Sequence, residues 1–156
     1  MQSKKTVAAA LLSLGLVFAG LTAYAQMQRP YRDGSVWNVA CIKMKPGMET
    51  AYLNYLANDW KREQETFKKD GLILSYKVLA TEAHGTNDWN LLLMTEYKDL
   101  ATMEANQQKM EQVGQQLFGS DEQIRKGYRE RLEIREVMGE RLAREIVLEA
   151  RPKTTP

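Results

Sequence analysis

Residues 36–44, Val-Trp-Asn-Val-Ala-Cys-Ile-Lys-Met, are apolar on both alternating sides, with Trp37, Val39 and Cys41 on one and Val36, Ala40, Ile42 and Met44 on the other. A strand sends successive side chains to opposite faces of its sheet, so this segment needs a covering layer on each face. Asn38 is its polar exception. A chain built around such a strand has to find two layers, from its own helices or from a second copy.

The rest of the chain supplies one layer of helices. Pro46-Gly47 ends the strand, and Met48, Tyr52, Tyr55, Leu56, Trp60 and Phe67 then recur at helical spacing. Glu49, Lys61, Arg62, Glu65 and Lys68 fill the opposite side, which predicts a long amphipathic helix stopped at Asp70-Gly71. Residues 72–80 and 89–97 read as two strands of a hairpin joined by the polar loop 81–88. Asp99 caps a second helix whose stripe is Leu100, Met103, Met110, Val113 and Leu117, closed by Phe118-Gly119. Ser120 and Gln123 match a capping box, so a third helix begins there, with Ile124, Tyr128, Leu132 and Met138 inward and Gly139 at its end. Ile146, Val147 and Leu148 favour a fourth strand, while the helix formers of 141–149 leave an unbroken helix open as the competitor.

The order is α+β, a ferredoxin-like β-α-β-β-α-β arrangement with an enlarged second helical segment. The domain covers residues 36–150, with a flexible lead-in at 26–35 and a tail at 151–156. Ahead of it, Lys4 and Lys5, the apolar run 7–21 and Ala23-Tyr24-Ala25 form a secretory signal peptide at residues 1–25, cleaved after Ala25. The run is broken by Ser13, Gly15 and Gly20 and falls short of a bilayer span, so no stable membrane anchor is expected and the product is secreted or periplasmic. Lys4 and Lys5 account for the +2 formal charge, leaving the remaining basic residues equal to the 20 acidic ones. That balance gives no electrostatic footprint for nucleic acid. Cys41, the only cysteine, has no internal disulfide partner and reads as a buried, inert thiol.

Several turns carry a resemblance. The strand 36–44 followed by Lys45-Pro46-Gly47-Met48, Asp70-Gly71 ahead of a strand, and 89–97 running into Lys98-Asp99-Leu100 resemble the antibiotic-biosynthesis-monooxygenase-like dimeric α/β barrels over about residues 36–118. The resemblance implies a sheet covered by helices on one face and by the sheet of a second subunit on the other, hence a homodimer. It also implies a pocket between sheet and helices. Members of that superfamily carry out cofactor-free oxygenation or haem degradation there, the latter with a recurring Asn, Trp and His set. Asn38 and Trp89 are the approximate counterparts. His84 departs from the pattern, since it falls in the loop between the second and third strands and not on the second helix.

No motif of established chemistry is present: no paired Cys-x-x-Cys, no His-Glu-x-x-His, no Gly-rich phosphate loop and no Gly-x-Ser-x-Gly. One histidine and one cysteine are too few for a conventional metal site, so neither metal nor cofactor is expected. Trp37, Trp60, Trp89, Tyr52, Tyr55, Tyr76 and Tyr97 either fill the core or line an apolar cavity, and both readings fit their spacing. The pocket candidates are Asn38, Trp60, Tyr76, His84 and Trp89, for an apolar or aromatic small molecule. Arg125, Lys126, Arg129, Arg131, Arg135, Arg141 and Arg144 interleave with glutamates at i,i+3 and i,i+4, which predicts a solvated, ion-paired face. The function expected is an exported small-molecule-binding dimeric barrel of unknown ligand, with cofactor-free oxygenase-like activity as its catalytic form. The alternative is a non-catalytic dimerisation or partner-binding module.

Overall fold

A computed structural model describes residues 30–149, so the signal peptide expected at 1–25, residues 26–29 of the expected lead-in and the tail at 151–156 lie outside the described residues. The elements are β1 (Tyr31–Met44), α1 (Glu49–Tyr55), a π-helical turn (Leu56–Trp60), α2 (Lys61–Lys69), β2 (Ser75–Ala80), β3 (Leu91–Tyr97), α3 (Leu100–Phe118), α4 (Asp121–Leu132) and β4 (Arg135–Leu148). The strands form one antiparallel sheet in the order β2-β3-β1-β4. With a helical segment after β1 and another after β3, this is the ferredoxin-like fold.

Register divides the sheet into two faces. Asn38 opposes Thr95, Ala40 opposes Leu93 and Ile42 opposes Leu91, so these share one side. Trp37, Val39 and Cys41 oppose Glu96, Met94 and Leu92 on the other. The helices pack on the Asn38 side. Tyr52 and Leu56 close over Ile42 and Leu91, and Phe67, Leu72 and Ile73 join Tyr97 and Val113 in a second buried cluster. Neither cluster includes Trp37, Val39, Leu92 or Met94. Cys41, on that same face, is buried.

Local chemistry sets the helix ends. Asp99 accepts from the Thr102 N–H at 2.7 Å and starts α3. Ser120 and Gln123 form the expected capping box of α4. Before it, Gly119 has φ +92°, and a Cβ there would run into the Gln123 side chain. Only glycine satisfies both constraints. Gly71, with φ +69°, ends α2 where expected.

Three boundaries differ from the sequence reading. First, the long helix is interrupted by the π turn. Each four-residue step on an α-helix drifts by about 40°, so Tyr52, Leu56, Trp60 and Gln64 would spiral off a common face. The π turn takes up an extra residue and returns Trp60 and Gln64 to the side of Tyr52. Second, β1 begins at Tyr31, inside the stretch read as lead-in, because strand pairing supplies hydrogen-bond partners whatever the local composition. Third, α4 stops at Leu132 and β4 starts at Arg135, so Met138 and Gly139 belong to a strand, as do 141–148. The Lys45 N–H donates to the Ile134 carbonyl at 3.1 Å, and pairing beside β1 overrides the helix formers of 135–145.

Residues 34–145 make up one compact unit, and 30–33 with 146–149 belong to a second. Within the second, the Glu149 N–H donates to the Pro30 carbonyl at 2.8 Å and Arg32 pairs with Glu149 at 3.1 Å.

Candidate functional site

A cavity of about 310 Å³ opens between the Asn38 side of the sheet and the helices. Its floor is Asn38, Ala40 and Ile42 from β1 with Leu93 and Thr95 from β3. One wall comes from Tyr52, Tyr55, Trp60 and Gln64, which share a face because of the π turn. The other comes from Tyr128 and Arg131 of α4, then Arg135, Val137 and Glu140 at the start of β4. Gln64 is 5% exposed, and its Oε1 accepts from Thr95 Oγ1 at 3.1 Å, which fixes one polar group in the wall.

The arginines dominate the electrostatics. Arg131 lies 4.6 Å from the Tyr55 ring centre, and Arg135 lies 5.5 Å from that of Tyr52 and 5.4 Å from that of Tyr128. Arg135 is 6% exposed, and its Nε and Nη1 have no hydrogen-bond partner among the described residues; nor has the buried Nε of Arg131. Cation–π contacts of this kind contribute about 0.5–2 kcal/mol each. The effective penalty for taking one ion out of water is several kcal/mol. The rings therefore offset only part of the cost of burying Arg135. Tyr52 does not supply the missing anion, since burial pushes its hydroxyl up to about 12, with Arg135 acting in the opposite, lesser sense. Burial likewise raises Tyr55.

Arg131 is placed differently. It also lines a neighbouring cavity that holds Asp59 and Glu63. Burial raises the Glu63 carboxyl above its ordinary value, and the field of Arg131 opposes that shift. Its charge is thus answered in part from behind, whereas the partners found for Arg135 among the described residues are the rings of Tyr52 and Tyr128, with Glu140 lining the same cavity.

Of the five residues singled out from the sequence, Asn38 and Trp60 line this cavity. Tyr76 sits edge-on to Trp60 with ring centres 5.3 Å apart, but its hydroxyl points away and donates to Glu65 at 2.5 Å, which raises its pKa to about 12. His84 and Trp89 lie apart from the cavity lining, in the segment between β2 and β3; His84 is exposed and Trp89 is 38% exposed.

Arg131 and Arg135 are what the sequence reading missed. The ion-paired face it expected does exist, with Glu122 holding Arg125 at 3.4 Å and Arg129 at 3.2 Å. Yet Ile124, Tyr128 and Arg131 follow one another at spacings of four and three, which is the apolar stripe itself, and Arg135 opens β4 three residues beyond the end of that helix. An arginine in register with that stripe was the available clue.

No family model matches this sequence, and no curated protein matches it. Among solved structures, the chain is similar to a nipsnap family protein with unknown function from Agrobacterium tumefaciens str. C58. The two share 14% identity, with a TM-score of 0.44, over 78% of this chain and 93% of that one. It is also similar to a dimeric protein of unknown function and ferredoxin-like fold from Bacteroides fragilis NCTC 9343, at 14% identity and a TM-score of 0.38, over 76% of this chain and 98% of that one.

Proposed function

We propose that this chain is an exported small-molecule-binding protein that works as a homodimer, with the ligand in the cavity beneath α4. The observation that carries the reading is the convergence of Asn38, Gln64 and Arg135 on a space of about 310 Å³ that the aromatic side chains line without filling. Pockets of this kind, mostly apolar with a few placed polar groups, are where small ligands bind. The phenols of Tyr52 and Tyr55 stay protonated at neutral pH, so they are poor bases, and we read the site as one for binding.

The dimer is supported by the opposite face of the sheet. Trp37, Val39, Leu92 and Met94 share it with Leu79, which is exposed, and α4 lines the Asn38 side, leaving this face without a helical layer among the described residues. A second copy presenting the same face covers it, and a stable interface of this type removes on the order of 1,600 Å² from water. Export rests on the order of charge, apolar run and Ala-Tyr-Ala site in residues 1–25.

Native mass spectrometry of the chain purified from its own host tests these points together. The expected species is a pair of chains, each beginning at Gln26 and retaining a small organic molecule that the cavity-filling variant Ala40→Phe loses. A species free of any adduct, indistinguishable from Ala40→Phe, removes the binding reading. A single-chain mass removes the dimer, and a chain that keeps residues 1–25 removes export.

A further inference from the structure

We propose that the cavity selects a small monoanion, a carboxylate carried on a flat apolar body, and that Arg135 is its anchor. This rests on the small-molecule reading above and names the class of ligand.

Arg135 is nine-tenths buried, lines the cavity, and has two guanidinium nitrogens without partners. No ion pair to a carboxylate is formed by Arg135 or Arg131 among the described residues. A buried guanidinium keeps its charge, because its pKa lies far above neutrality, so the charge has to be answered by something that enters. The surroundings narrow the choice. Glu140 is the one acidic side chain lining the same cavity, and Arg131 has Glu63 on its other side. Within the lining itself, Arg131 and Arg135 set two positive charges against Glu140, which leaves about one to be answered; Glu63 lines the neighbouring cavity, where burial disfavours its charged form. The balance therefore favours a carboxylate over a doubly charged phosphate. The body of the ligand is set by the walls. Ala40, Leu93 and Val137 are apolar, and Tyr52 and Trp60 present rings, which suits a planar group lying against them. Asn38 adds a neutral polar group for a substituent.

Benzoate and benzamide are the probes, since they share a shape and differ in charge. Titrated into the full chain, benzoate should bind at least about tenfold more tightly than benzamide, as expected for hydrogen bonds to a charged group. The Nε–H resonance of Arg135 in the nitrogen–proton NMR spectrum of the unaltered chain should move with benzoate and stay fixed with benzamide. Arg135→Met should abolish the preference, and Arg129→Met should leave it intact. Equal binding of the two probes in the cavity overturns the anion while leaving a small-molecule site. A benzoate preference that survives Arg135→Met overturns the anchor. An Arg135 resonance unmoved by either probe overturns the proposed ligand class, and the adduct measurement on Ala40→Phe then decides separately whether the cavity binds a ligand of another kind.

Discussion

Arg125 and Arg129 on the outer side of α4, and Arg131 of α4 with Arg135 at the start of β4, come from a single alternating run of Arg and Glu and end in opposite circumstances. The first pair is more than half exposed and shares Glu122, an arrangement that solvent screening makes nearly neutral in energy. The second pair lies over tyrosine rings, with Arg135 almost wholly buried and short of partners. The contrast shows that charge pattern alone does not say which arginines meet water. That is decided by which helix stripe turns inward, and by where the chain leaves the helix to become a strand.

The strongest challenge to this comparison is Tyr52→Ala. Tyr52 is 1% exposed and carries Arg135 over its ring, so truncation should cost about 3–5 kcal/mol in urea unfolding, the range for large aromatic core residues. A loss under about 1 kcal/mol would mean that the wall collapses freely and that the cavity is not held open by the helices.

Next in size is Arg135→Met. It keeps the stem and removes the uncompensated charge, so the ligand-free protein should gain about 1–4 kcal/mol. A loss of that size would show that Arg135 is already paid for by the fold, and the contrast with Arg129 would disappear.

Glu63→Gln sharpens the difference between the two buried arginines through pH. Burial lifts the Glu63 carboxyl above its ordinary 4.5, against the pull of Arg131. Between that value and the raised one, the folded state binds more protons than the unfolded state, so stability falls as pH rises through the window. Glu63→Gln removes the penalty. The variant should be the more stable at neutral pH and lose its advantage below about pH 4.5, the unfolded value. The reverse slope would show that Arg131, not burial, governs the carboxyl.

Arg129→Ala is the smallest expected effect, within about 0.5 kcal/mol, as for exposed ion pairs. A larger loss would place Arg129 in a packed contact and blur the division between the two pairs.

Much of the framework was legible in the residues because it depends on local chemistry. The two-sided apolar run 36–44 became the central part of β1, Asp99 and Ser120 became caps, and Asp70-Gly71 ended a helix. Asn38 and Trp60, whose residue types suit a pocket, do line the cavity. Trp89, the approximate counterpart in the resembled superfamily, and His84, the chain's one histidine, take no part in the lining. The π turn left no trace in the spacing of Tyr52, Leu56, Trp60 and Gln64, because a period of four fits an α-helix that drifts as well as one reset by an extra residue.

What the sequence by itself determined was the set of elements and their order, since periodicity, turns and caps act over a few neighbouring residues. Only the tertiary structure decided that residues 135–140 leave the helical pattern for the edge of the sheet, and that Arg131 and Arg135 thereby close a ring of tyrosines. The reason is physical: strand pairing with β1 satisfies a whole row of backbone donors and acceptors at once, and that gain, made between residues far apart in the chain, outweighs the small local preference of Arg, Glu and Met for a helix.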